Sequence, residues 1–262
     1  MVLIIGAGPA GLFAGENIGG CKILEEHKDV GVPAQCGGLL SRSGLEELKV
    51  LDKYYVLNEI RGADFYSKSR HFSISKGETV AYSVCRVAFD QYLAKRAEKR
   101  GCTIETGCRV SRIEQKGRTW VAKTSSGDYE DETLVLACGN SLNLISQAGF
   151  EPYKPQNLLK TIQADCRMPS ERDKVALYFS REYTDCFFAW TIPAGDFVRV
   201  GVGSFSDAPQ KFEAFLKKLG AKPESKFAGV IPIKGALKRT QSSNAYLVGD
   251  AAGQVKPTTG GG

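Results

Sequence analysis

The chain has 262 residues, 42% of them hydrophobic and 24% charged, enough for a sizeable core as one large domain or two interleaved ones. Its formal charge of +6 is spread over scattered lysines and arginines that read as solvated helix faces, so no nucleic-acid partner is expected. No apolar run approaches the ~18 residues of a membrane span, and the apolar N-terminus turns at Gly6 before it could serve as a signal peptide, which points to the cytoplasm.

Eight cysteines, at 21, 36, 85, 102, 108, 138, 166 and 186, form no CxxC pair, and with only two histidines no metal site is expected. Most of these thiols read as buried small hydrophobes.

The opening stretch, VLIIGAGPAG from Val2 to Gly11, is a short apolar run that breaks at Gly6, Gly8 and Gly11. That spacing lets backbone approach a pyrophosphate, with Pro9 tolerated in the first helical turn, where an N–H would have no partner. A second strand, Cys21 to Leu24, ends at Glu25, whose carboxylate can accept hydrogen bonds from a ribose diol. The order strand, turn, helix, strand, acid predicts a dinucleotide site.

After a polar turn at His27 to Gly31, Pro33 and the pair Gly37-Gly38 mark a loop whose backbone could lie against a flat ligand. Cys36, just before that pair, is the one cysteine with an open choice between a structural and a reactive role. Ser41 or Ser43 could cap a helix carrying Leu45, Leu48 and Leu51. From Glu59 to Ser75 the period changes to two, predicting a hairpin broken near Ser67 to Arg70.

Next, Val84-Cys85-Arg86 leads into a helix with Phe89, Leu93 and Ala97 on one face, stopped by Gly101. Arg86 sits where that helix begins, placed either for a phosphate or ring edge or for a surface ion pair. Strands are expected at Thr103 to Glu114, Thr119 to Thr124 and Thr133 to Ala137, the last returning to the parallel sheet and ending at Cys138-Gly139, with Ser141 capping a short helix to Ala148.

Residues 150–235 differ in texture. Strand-like pieces at Leu159 to Arg167, Val175 to Ser180, Cys186 to Ile192 and Phe197 to Val202 argue an antiparallel sheet, and a helix from Pro209 to Leu219 carries Phe212, Phe215, Leu216 and Leu219 on one face. Phe187, Phe188, Trp190 and Phe197 could line an apolar cavity or fill a core. The chain closes with AYLVGDAAGQVKPTTGGG, a short apolar strand running into Gly249-Asp250 and a second glycine-rich turn.

Together these pieces predict an α/β fold: a Rossmann-like nucleotide-binding domain built from 1–58, 80–149 and 236–262, interleaved with an antiparallel-sheet substrate domain from 59–79 and 150–235. The pattern resembles the FAD-dependent oxidoreductases of the p-hydroxybenzoate hydroxylase type, and within them the geranylgeranyl reductase family. The matching pieces are GAGPAG at 6–11, Glu25, PAQCGGLLS at 33–41, CRVAFDQYL at 85–93, FAWTIPAGD at 188–196 followed by VGVG at 200–203, and GDAAGQVKPTTGGG at 249–262.

The resemblance implies FAD as cofactor. Gly6, Gly8, Pro9, Ala10 and Gly11 would cradle its pyrophosphate, and Glu25 and Glu26 would lie at the adenosine ribose. Asp250, after Gly249, would bind the ribityl chain. Cys36, Gly37, Arg86, Val110 and Gly139 would contact the cofactor, and Thr259 with Gly260, Gly261 and Gly262 would bring backbone N–H groups to the flavin. Phe188 and Trp190 would line the substrate cavity, and Cys36 is the candidate catalytic residue, as acid, redox partner or wall.

Three features depart from the family. The first helix ends early at Gly19-Gly20, Cys138-Gly139 replaces an Asp-Gly pair, and the chain stops at Gly262, where the family continues into a helix and a further substrate region. The chain therefore reads as C-terminally shortened, with 260–262 mobile and FAD held weakly. The implied reaction is reduction of carbon-carbon double bonds in geranylgeranyl chains of archaeal-type ether lipids. It implies an isoprenoid lipid substrate, an external electron donor such as reduced nicotinamide or ferredoxin, and an opening for peripheral membrane contact. A monooxygenase or hydroxylase of the same fold, or a noncatalytic flavin- or lipid-binding remnant, are the alternatives.

Overall fold

In the computed structural model, which describes residues 1–262, the opening motif forms β1 (Val2–Ile5), α1 (Pro9–Ile18) and β2 (Lys22–Leu24). Pro9 stands at the start of α1, and Gly19 ends it in a conformation that only glycine adopts cheaply (φ 73°). Next come β3 (Leu39–Ser41), α2 (Arg42–Glu47), β4 (Val56–Ile60), β5 (Gly62–Ser67), β6 (His71–Ser75), β7 (Ala81–Val84) and α3 (Arg86–Lys99). Then follow β8 (Thr103–Glu105), β9 (Val110–Lys116), β10 (Thr119–Thr124), β11 (Gly127–Asp131), β12 (Thr133–Leu136) and α4 (Leu142–Gln147). The rest comprises β13 (Leu158–Cys166), β14 (Lys174–Phe179), β15 (Ala189–Ala194), β16 (Phe197–Ser204), α5 (Ala208–Leu219), β17 (Pro223–Pro232), β18 (Gln241–Ser242), β19 (Ala245–Leu247) and a 3-10 turn at Gly249–Ala252. No helix is long and apolar enough to cross a membrane.

The chain divides into two units, each discontinuous in sequence. The first comprises 1–32, 87–158 and 231–262. Its six-stranded sheet has the order β18-β19-β12-β1-β2-β8 and is parallel except at β18. Strands buried on both faces are apolar throughout, as in Leu3, Ile4 and Ile5 of β1 and Leu134, Val135 and Leu136 of β12. A second, three-stranded sheet of β11, β10 and β9 contributes Ile113, Trp120 and Ala122 to the same core. Phe89, Leu93 and Ala97 of α3 are buried, as their spacing predicts.

The second unit comprises 33–86 and 159–230. Its seven-stranded sheet runs β17-β13-β16-β15-β14-β5-β6. Packed on the sheet, α5 sets Phe212, Phe215 and Leu216 in one cluster with Ala164, Cys166, Val198, Val200 and Val202, which alternate along β13 and β16. A separate cluster holds Trp190 and Ile192 of β15 with Ile60 and Val175. β3, β7 and β4 form a small antiparallel sheet.

Several expectations need correction. The strand expected over 103–114 is two strands: β8 joins the parallel sheet, whereas β9 pairs with β10. The helix expected to carry Leu45, Leu48 and Leu51 ends at Glu47, because Lys49 turns to φ 53°; Val50 is buried instead, and Leu48 and Leu51 are exposed. The sheet of the second unit is not wholly antiparallel, since β14 pairs with β5 in parallel. Residues 33–58 and 80–86 cluster in the second unit rather than with the nucleotide motif: β3, β4 and β7 pair with one another, and β4 and β7 lie against β15. At 256–261 the chain closes a turn, in which the Lys256 N–H donates to the Gly261 carbonyl (2.8 Å) and the Gly260 N–H to the Lys256 carbonyl (2.9 Å).

Candidate functional site

The three glycines of the opening motif are glycine for two different reasons. A Cβ on Gly6 would lie 2.4 Å from the Ala137 carbonyl oxygen, and one on Gly11 would lie 2.0 Å from the Gly6 carbonyl oxygen. Both are demanded by the protein's own packing. A Cβ on Gly8 would meet nothing within 4 Å, although Gly8 has an ordinary extended φ of −73°. Open space at the N-cap of α1 is what a ligand cradle requires. In that first turn the N–H groups of Ala10 and Gly11 have no intrahelical acceptor, and the positive end of the helix favours a phosphate.

Two further glycines shape the same unit. Gly249 has φ 63°, and a Cβ there would come within 2.6 Å of the Ala10 Cβ, so the turn bearing Asp250 lies directly against the first turn of α1. Gly139, at the end of the β12 segment, has φ 56° and open space around it. Its neighbour Cys138 is a thiol that burial pushes up to about 12, so it stays neutral.

Glu25, 9% exposed, is held by its own fold: Oε2 accepts the Ala7 N–H at 2.8 Å, while Oε1 accepts the His27 N–H at 3.0 Å and lies 2.6 Å from His27 Nδ1. A carboxylate has about four lone-pair sites, so capacity for a ribose hydroxyl remains. Glu26 points elsewhere, 3.5 Å from Arg109 on the surface. Val110 is buried at the start of β9 among the core residues and pairs with Thr124 of β10. Arg86 is the first residue of α3, and Thr259–Gly262 lie in the 256–261 turn and just beyond it.

In the second unit the Cys36–Gly38 turn lies on β15. A Cβ at Gly37 would be 3.3 Å from Ile192 Cδ1, 3.8 Å from Gln163 Oε1 and 3.9 Å from Trp190 Nε1. Buried Trp190 Nε1 and Gln163 Oε1 have no hydrogen-bond partner. The Trp190 indole lies flat over Gly201, its cross-strand partner, where a Cβ would be 2.3 Å from ring atoms. Phe187 stacks on Phe188 (4.0 Å), and Phe188 meets Trp190 edge-on at 6.1 Å. Cys36 is exposed, with the Gly38 N–H directed at its Sγ (3.4 Å).

The predicted residues thus fall into two groups. Gly6, Gly8, Gly11, Glu25, Gly249 and Asp250 are gathered in the first unit, and Cys36, Gly37, Phe188 and Trp190 in the second. Sequence reasoning missed Gln163, Asp165, Arg199 and His27. Arg199 did leave a signal, being the one charge inside the apolar run FVRVGVG.

This chain belongs to the FAD dependent oxidoreductases, the family that matches residues 23–233. An uncharacterized protein of Methanocaldococcus jannaschii is 34% identical, over all of this chain and 70% of its own length. The digeranylgeranylglycerophospholipid reductase of the same organism is 28% identical, over all of this chain and 72% of its own length. Among solved structures, a geranylgeranyl bacteriochlorophyll reductase-like protein from Thermoplasma acidophilum aligns with a TM-score of 0.91 at 22% identity, over all of this chain and 73% of its own. A p-nitrophenol 4-monooxygenase from Pseudomonas putida aligns with a TM-score of 0.74 at 12% identity, over 96% of this chain and 72% of its own, and shares the fold. The protein is an FAD-dependent oxidoreductase with the p-hydroxybenzoate hydroxylase-like fold, and the open cradle at Gly8 fits the cofactor's pyrophosphate.

Proposed function

We propose that this protein is a reductase that saturates carbon-carbon double bonds of geranylgeranyl chains, in archaeal-type isoprenoid ether lipids or their precursors. The observation that carries the reading is the aromatic cluster of the second unit: Phe188 meets Trp190 edge-on, and Trp190 and Ile192 lie against the Cys36–Gly38 turn, which approaches so closely that a Cβ at Gly37 would be 3.3 Å from Ile192 Cδ1. An isolated alkene has no carbonyl to polarise and no charge to grip, so it is selected by shape and by removal of apolar surface from water. The names of the 28%-identical relatives support the same substrate class.

When bound and reduced, FAD supplies the hydride equivalent that such a reduction needs. The protein's part is placement. The first turn of α1 and the glycine turn would hold the pyrophosphate, Glu25 a ribose hydroxyl and Asp250 the ribityl chain, with Arg86, Val110, Gly139 and 259–262 as further cofactor contacts. Trp190 and Phe188 align the prenyl chain and exclude water, and Cys36 is the thiol placed at the turn beside it. The electrons would come from an external donor, reduced nicotinamide or ferredoxin.

The test is product analysis with a geranylgeranyl ether lipid and either donor. Gain of a pair of hydrogens per double bond supports the reading. Gain of an oxygen atom would make the protein a monooxygenase instead, and an unchanged lipid with bound FAD would leave a flavin-binding protein with another substrate.

A further inference from the structure

The second unit contains a buried ion pair that none of the proposed chemistry uses. Arg199 of β16 and Asp165 of β13 face each other across the ladder, with Nε to Oδ1 at 2.8 Å and Nη2 to Oδ2 at 3.5 Å; the residue Arg199 is 7% exposed. The remaining guanidinium nitrogen, Nη1, donates to the Gly37 carbonyl at 3.0 Å. A buried charge pair is weak evidence of stabilisation, since well-packed apolar residues of similar volume often do as well. What an apolar pair could not supply is the third contact, a fixed donor aimed at one backbone carbonyl.

The turn is built to receive it. Gly38 has φ 69°, and a Cβ there would lie 2.8 Å from Arg199 Nη1 and 2.6 Å from the Val84 carbonyl oxygen. The Gly38 carbonyl accepts the Val84 N–H at 2.8 Å. The turn is therefore held between the guanidinium on one side and β7 on the other, with Gly37 over Ile192, Gln163 and Trp190.

We propose that Arg199, braced by Asp165, is a positioning residue that clamps the Cys36–Gly38 turn onto the substrate wall. Its consequence for turnover rests on the prenyl-reductase reading; the clamp itself does not. With Arg199→Lys, charge opposite Asp165 is kept but the fork that also reaches Gly37 is lost. The double variant Arg199→Met/Asp165→Leu removes the clamp without leaving a buried charge unpaired, so folding is preserved where a single truncation would fail.

The readout is iodoacetamide alkylation in the native protein, measured site by site by mass spectrometry. Cys36 and Cys186 are both exposed, so Cys186 serves as the internal reference, whereas burial pushes the Cys21 and Cys138 thiols up to about 12 and keeps them silent. Loss of the clamp should raise amide exchange at 36–38 about fivefold, the shift expected for one lost hydrogen bond, and should change the Cys36:Cys186 rate ratio as the turn that carries Cys36 moves. With prenyl substrate, KM should rise. An unchanged rate ratio and unchanged exchange in both folded variants would overturn the clamp. A wild-type protein that reduces no prenyl chain, yet shows the altered ratio in the variants, would overturn the functional reading and uphold the clamp.

Discussion

The Glu25 carboxylate accepts the Ala7 N–H at 2.8 Å, so the acid that follows β2 also pins the glycine turn that follows β1. Glu25→Ala should therefore harm FAD binding in two ways, by losing an acceptor for the ribose and by releasing the turn. A hydrogen bond to a charged group contributes roughly 1.5–3 kcal/mol, so affinity should fall about ten- to a hundredfold. Glu25→Gln keeps an oxygen for Ala7 and should fall less. Titration of the apoprotein with FAD decides it, and equal affinity in Glu25→Ala and wild type would remove Glu25 from the site.

The contrast between Gly8 and Gly11 gives a second prediction. Gly11→Ala drives a methyl group to within 2.0 Å of the Gly6 carbonyl, so the apoprotein itself should lose thermal stability. Gly8→Ser introduces a favourable N-cap residue into open space, so the apoprotein should keep or slightly raise its Tm while FAD occupancy falls. Should Gly8→Ser bind FAD as tightly as wild type, the open space at Gly8 is not the cradle.

Much of this was legible because it is local. β1, the glycine turn, α1 and β2 are set by apolar runs, Pro9 and glycine spacing within a few dozen residues, and the apolar faces of α3 and α5 follow helical periodicity. What the sequence concealed depends on distant pairing. Lys174 pairs with Gly62, and no local signal near either names its partner. β17 alternates exposed and half-buried residues from Glu224 to Ile231 and carries too little apolar weight to stand out. Asp165 reads as an ordinary polar position of a strand until β13 and β16 are aligned and Arg199 falls opposite it. His27 sat in what looked like a polar turn, yet it completes the Glu25 environment.

Asp185 predicts an acid-labile second unit. Burial pushes its carboxyl up, but hydrogen bonds from Ser204 Oγ, the Phe205 N–H, Ser206 Oγ and the Ser206 N–H outweigh it and hold it well below the usual carboxylate range. A folded-state pKa below the unfolded value of ~3.9 means the stabilisation is complete above that pH and is lost as pH falls below it. Asp185→Asn should cost about 1–2 kcal/mol at pH 7, discounted for the group's partial exposure, and should flatten the acid limb of the stability profile. Urea unfolding from pH 7 to pH 3 measures both effects, and identical pH slopes in variant and wild type would refute the assignment.

Trp190 offers the sharpest separation of substrate from cofactor. Its indole lies against Gly201, its Nε1 is unpartnered, and its edge meets Phe188, all within the second unit, whereas the glycine cradle belongs to the first. Truncation to alanine would open a cavity costing about 3–5 kcal/mol, too much for a clean reading of function. Two gentler changes isolate the wall. Trp190→Phe keeps an aromatic ring but shortens it, whereas Gly201→Ala keeps the tryptophan and displaces it, because the new methyl group would lie 2.3 Å from ring atoms. Both should raise KM for a long prenyl chain several-fold, as expected when a pocket wall is misplaced by about 1 Å, and both should leave FAD affinity unchanged. Tryptophan fluorescence reports the displacement directly, since the only other tryptophan, Trp120, is buried in the first unit with its Nε1 donating to Asn244 Oδ1 at 3.0 Å. If Gly201→Ala shifts the emission yet KM is unmoved, Trp190 packs a core and the substrate wall lies elsewhere; if FAD affinity falls instead, the wall belongs to the cofactor.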